Sequence, residues 1–83
     1  MDSRRGVMFR QIGAKLAYYR AIKNMSQTGL AKTASISPST LSRIERGDYN
    51  DHLSVDMLFI LAEALDIEPM ELLRFTDADK KMW

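Results

Sequence analysis

The sequence predicts an all-α domain of five short helices, and three observations carry that prediction. No stretch alternates polar and apolar residues at the period of a strand. Apolar residues recur instead at helical spacings in short windows. Between those windows stand cap and breaker residues: Asn24, Ser26, Ser37-Pro38, Gly47, Ser54 and Glu68-Pro69. The 83 residues have room for one core, and a chain of that size buries roughly 60–65% of its unfolded surface.

The first helix covers about residues 8–23, where Ile12, Leu16 and Tyr19 fall at i, i+4 and i+7 and Phe9 extends the stripe. Asn24 ends it. Ser26 caps a second helix over about residues 27–33, and Met25 before the cap can staple to Leu30. Gly29 inside that helix has no local explanation and costs up to about 1 kcal/mol relative to alanine. The third helix has the clearest start: Ser37 caps it, Pro38 takes the first helical position, and Ile36 can staple to Leu41. It ends at Arg46, with Gly47 placed to turn left-handed. Residues 48–53 read as a polar loop. Ser54 caps a fourth helix that runs to about Leu65, with a Leu53–Leu58 staple. Glu68-Pro69 opens a last short helix ending near Phe75. Residues 1–8 then read as a basic N-terminal arm, 9–75 as the domain, and 76–83 as a tail.

Composition removes several classes of function. Cysteine is absent and histidine occurs once, which excludes disulfide frameworks, thiolate zinc sites and a thiol nucleophile. His52 has no acid, serine or second ligand at a useful spacing and reads as an exposed loop residue. No enzyme, metal or cofactor is expected. No apolar run approaches the roughly 20 residues of a membrane span, and no secretory signal opens the chain. A soluble, cytoplasmic protein with no membrane partner is expected.

The net charge of +1 conceals a strong polarity. Residues 1–47 hold nine basic and two acidic side chains, a formal +7, while residues 48–83 hold three basic and nine acidic ones, a formal −6. A basic surface for a polyanion is the reading this suggests. Helices two and three sharpen it. Three residues, Ala34-Ser35-Ile36, separate the end of one from the cap of the other. So tight a link forces a steep crossing, the geometry of a helix-turn-helix. Leu30, Ala31 and Ala34 can then meet Ile36, Leu41 and Ile44, leaving Ser39, Ser42, Arg43 and Arg46 outward. A face of small polar residues and arginine can enter a major groove.

These residues resemble a known family. Ile12-Gly13-x-x-Leu16-x-x-x-Arg20, Met25-Ser26-Gln27-x-x-Leu30-Ala31 and Ser37-x-Ser39-Thr40-Leu41-Ser42-Arg43-Ile44-Glu45-Arg46-Gly47 are similar to the phage-repressor (Cro/Xre-type) helix-turn-helix regulators. Leu58-x-x-Leu61-Ala62-x-Ala64-Leu65 and Glu71-Leu72-Leu73 continue the likeness, which spans residues 9–75. The resemblance implies a five-helix, lambda-repressor-like domain that binds double-stranded DNA and regulates transcription. It implies base contacts from Pro38, Ser39, Ser42 and Arg43, with Arg43 suited to guanine because a guanidinium takes both of its acceptors. It implies phosphate contacts from Ser26, Gln27, Thr40, Arg46 and Asn50, and a structural ion pair between Arg20 and Glu45.

The chain departs from the family pattern at three places. Ser35 stands where glycine is usual in the turn, Gly29 replaces a common glutamate, and the 48–53 loop is about two residues longer than typical. That loop carries Asp48 and Asp51, which would repel phosphate, beside Tyr49, Asn50 and His52, which can touch the backbone.

Helix four carries two apolar stripes. Val55, Leu58, Leu61, Ala62 and Leu65 form a core stripe, and Met57, Ile60 and Ala64 form a second on nearly the opposite face. A homodimer through helices four and five, with Phe75, Met82 and Trp83 adding apolar surface, accounts for the second stripe. The alternative is a tail folded back over Met57 and Ile60 within one chain. Two classes of function stay in view: a dimeric regulator on a palindromic operator, and a protein–protein module on the same fold, such as a toxin–antitoxin or phage regulatory partner. The bases at Arg20, Lys32, Arg43 and Arg46 favour the first. Repression and activation are not separated by the sequence.

Overall fold

The computed structural model describes residues 3–48 and 53–83. Among them the elements are α1 (Arg4–Ile22), α2 (Gln27–Thr33), α3 (Pro38–Glu45), α4 (Val55–Leu65), a 3₁₀ turn (Pro69–Leu73) and α5 (Asp77–Lys81). No strand occurs in the described residues. The side chains of Ser26, Ser37 and Ser54 each accept the backbone N–H three residues on, from Gly29, Thr40 and Met57. Those caps satisfy donors that a helix leaves open, each worth about 1 kcal/mol.

Three elements differ from the sequence reading. Residues 4–8, expected as a basic arm, are already helical, because Ser3 accepts from the Gly6 N–H and Val7 is buried. The last helix of the domain is a 3₁₀ turn, in which the Glu71 N–H reaches the Glu68 carbonyl. The expected tail also folds, as α5, opened by a capping box between Thr76 and Asp79.

Four helices end in the same way. Asn24, Ser35, Gly47 and Asp66 each take positive φ (58°, 59°, 78° and 56°). The next residue's N–H then closes back onto the helix: Met25 on Arg20, Ile36 on Ala31, Asp48 on Arg43 and Ile67 on Ala62. Only one of the four positions is glycine. At Ser35 the left-handed conformation costs roughly 1–2 kcal/mol, yet the α2–α3 turn keeps its geometry.

Leu16, Leu30, Leu41, Ile44, Leu61, Leu65 and Leu72 are fully buried and join every element from α1 to the 3₁₀ turn. Each such side chain contributes about 1.5–3 kcal/mol. Met25, Ile36 and Leu53, the residues before the three serine caps, pack against this core. Gly13 sets how close α1 lies to α3. A Cβ there would fall against the Glu45 carbonyl oxygen and 2.5 Å from that of Ile44. Val55 departs from the stripe expected of α4: it is exposed in the first turn, as is Phe59 one turn later.

The C-terminal segment closes on α1. Gln11, buried beneath it, donates from Nε2 to the Asp79 carbonyl (2.9 Å) and accepts at Oε1 from the Trp83 indole N–H (3.0 Å). Lys15 pairs with Asp79 at 3.0 Å and lies over the Phe75 ring, which meets Trp83 edge-on at 5.5 Å. The tail therefore folds back within one chain, and its polar contacts are with α1.

Candidate nucleic-acid interface

The α2–α3 pair is held from beneath by one carboxylate. Glu45, whose side chain is 7% exposed, accepts Arg20 Nε at 2.8 Å and Arg20 Nη2 at 3.1 Å. Its Oε1 also accepts the Gln27 amide at 2.9 Å, while Arg20 Nη1 donates to the Met25 carbonyl. α1, α2 and α3 are thus tied at one point, which fixes the presentation of α3. The hydrogen bond to Glu45 pushes the Arg20 guanidinium further up from its ordinary pKa, against the opposing effect of burial.

α3 turns Leu41 and Ile44 into the core and Pro38, Ser39, Arg43 and Arg46 to solvent, with Thr40 and Ser42 half-buried between. Ser37 accepts the Thr40 N–H and donates its hydroxyl to Thr40 Oγ1 at 2.8 Å. Thr40 keeps its own hydroxyl hydrogen to give. Arg46 lies back along the helix, donating to Ser42 Oγ at 2.7 Å and to Asp48 Oδ2 at 3.1 Å. Ser26 is exposed at the start of α2, and Gln27 gives one amide hydrogen to Glu45 and retains the other. Asn50, with Tyr49, Asp51 and His52, lies outside the described residues.

The remaining expected residues sit away from this face. Met57, Ile60 and Ala64 are half-buried against the core, and Phe75 and Trp83 are half-buried with the C-terminal segment on α1. An open groove of about 340 Å³ runs along the flank of α1 turned from α3, between Lys15, Tyr18 and Tyr19 on one side and Glu71, Arg74 and Asp79 on the other. Its walls are internal pairs. Tyr19 donates to Glu71 at 2.9 Å, which raises the pKa of the phenol, and Arg74 followed by Tyr19 lowers that of Glu71. Two polar contacts escaped the sequence reading. Gln11 gave no signal, since its partners lie at the far end of the chain. Asp48 had one: an acid two residues beyond Arg46, across a glycine that curls the chain back.

Among the described residues no cluster of histidine or acids could hold a metal, and no helix is long and apolar enough to cross a membrane.

Residues 16–72 match the helix-turn-helix family model HTH_3. The chain is 33% identical over 63 residues to the HTH-type transcriptional regulator MJ0272 of Methanocaldococcus jannaschii, covering 76% of this chain and 92% of that one. Among solved structures it is similar to the restriction-modification controller protein C.AhdI from Aeromonas hydrophila, with a TM-score of 0.73 and 38% identity over 77% of this chain and 94% of that chain. The clp gene regulator ClgR from C. glutamicum gives a TM-score of 0.72 and 30% identity over 80% and 83% of the two chains. The matched span contains Arg20, Gln27, Glu45 and all of α3. This chain belongs to the HTH_3 family of helix-turn-helix transcriptional regulators, DNA-binding proteins and not enzymes.

Proposed function

We propose that this protein acts in the cytoplasm as a homodimeric regulator that reads a palindromic operator by laying α3 in the major groove. The observation that carries this reading is the outer face of α3. Ser39, Ser42, Arg43 and Arg46 share it, backed by Leu41 and Ile44 in the core and braced by Glu45. Arg43 takes a guanine edge, Pro38 and Ser39 add contacts at the start of the helix, and Ser26, Gln27 and Thr40 meet phosphates with their remaining donors. The formal +7 of residues 1–47 supplies the salt-dependent attraction to the duplex.

Dimerisation follows from apolar surface that one chain leaves wet. With Phe75 and Trp83 engaged on α1, the exposed large apolar residues among the described residues of the C-terminal part are Val55 and Phe59 on α4, Met70 and Leu73 on the 3₁₀ turn, and Met82 after α5. At 100° per residue Val55 and Phe59 fall on the other flank of α4 from Met57, Ile60 and Ala64, and this exposed apolar surface gives a second copy something to cover. Two recognition helices a DNA turn apart then read a two-fold site.

Selection of bound sites from random duplex DNA tests the reading. A two-fold consensus is the expected result, and recovery of no sequence preference would overturn it. Phe59→Glu tests the dimer separately. Phe59 is 54% exposed, so the variant should keep its helicity and sediment as a monomer at micromolar concentration. A wild type that is itself monomeric would remove the dimer.

A further inference from the structure

We propose that Asp48 is a specificity-setting residue, which holds Arg46 across the outer face of α3 so that Ser42 presents a hydrogen-bond donor to the base edge. The inference rests on the reading of α3 as the helix that enters the groove.

The bracket is built from the backbone up. Gly47, at φ +78°, lets the chain turn back, and the Asp48 N–H closes on the Arg43 carbonyl at 2.8 Å. The Asp48 carboxylate is thereby returned to α3, where Oδ2 accepts Arg46 Nε at 3.1 Å. The same guanidinium reaches one turn back and donates Nη1 to Ser42 Oγ at 2.7 Å. One guanidinium fork spans the face of the helix. The pair is open to solvent, with side chains 58% and 60% exposed, so it adds little to stability. Its consequence is orientation.

A serine hydroxyl has one hydrogen to give and lone pairs to accept with. Accepting from a charged guanidinium polarises the O–H and favours Ser42 as a donor. A donor matches the N7 and O6 of guanine, the N7 of adenine or the O4 of thymine, and mismatches the amino group of cytosine. The remaining N–H groups of Arg46 stay available to a phosphate. Asp48, an acid on a basic face, is neutralised by the residue it positions.

The test compares dissociation constants for a selected duplex and a scrambled duplex of equal length, using wild type, Asp48→Asn, Ser42→Ala and Arg46→Lys. Asp48→Asn removes a negative charge and should tighten binding to the scrambled duplex. The ratio of scrambled to selected dissociation constants should nevertheless fall about fivefold or more, the small end of one mismatched base pair, with the melting temperature unchanged. Arg46→Lys keeps the charge, loses the fork and should lower the same ratio. In a Ser42→Ala background, Asp48→Asn should lower the ratio no further. Equal tightening on both duplexes by Asp48→Asn, with the ratio intact, would overturn the proposal and leave Asp48 a simple repulsive charge. A wild type with no ratio between the duplexes would overturn the DNA reading itself, and this inference with it.

Discussion

In the α1–α2–α3 unit a single carboxylate does the joining: Glu45 accepts from Arg20 on α1 and Gln27 on α2. In the C-terminal segment the corresponding group is a neutral amide, with Gln11 bonded to the Asp79 carbonyl and the Trp83 indole. Both are sheltered, the Glu45 side chain at 7% exposure and Gln11 at 8%. They differ in charge and in what is lost with them. Without Glu45 a guanidinium and an amide beneath the recognition helix lose their partner. Without Gln11 the segment still holds Lys15–Asp79 and the Phe75–Trp83 contact. The unit that presents α3 is therefore cross-linked at one charged point, and the C-terminal segment is a clasp with several weaker points.

The largest effect follows at the first point. Glu45→Ala strands the part-buried Arg20 and should cost about 3 kcal/mol in urea denaturation, with loss of DNA binding as α3 loosens. Gln11→Ala should cost less, about 1–2 kcal/mol. Trp83 is the one tryptophan of the chain, so its emission should shift to the red in that variant while affinity for DNA is retained. Equal costs for the two substitutions would erase the contrast between the regions.

Acid gives a milder way to open the clasp. The Asp79 pKa is lowered first by the Thr76 backbone N–H and then by Lys15. A carboxylate whose folded pKa is depressed stabilises the fold above its unfolded value, ordinarily 3.8, and that contribution is lost as pH falls through the folded value. Trp83 emission should therefore hold steady at neutral pH and change below the ordinary aspartate range, ahead of any loss of helicity. An emission change centred near pH 6 would point to a different group.

The same contrast separates what was legible in the sequence from what was not. The cap at Ser37, the proline after it, the staple from Ile36 and the left-handed Gly47 are local signals, and they place α3 and its ends correctly. The α1 start at Ser3 was hidden because the apolar stripe begins several residues later. Asp66 ends α4 in a conformation that glycine usually marks, so nothing in its residue type announced it. The clasp joins residues about seventy positions apart, and a buried glutamine carries no periodicity that points to a partner. Val55 fell at the edge of a stripe and in a first turn, where helical phase alone does not decide burial.

The most direct test of α3 as the reading helix is the affinity of Arg43→Ala for a selected duplex and for a scrambled one. A guanine contact is worth about 1–3 kcal/mol of discrimination. The loss on the selected duplex should therefore exceed the loss on the scrambled duplex by about fivefold or more, whereas Gln27→Ala should weaken both alike. Equal losses on the two duplexes for Arg43→Ala, or no loss on either, would contradict the account.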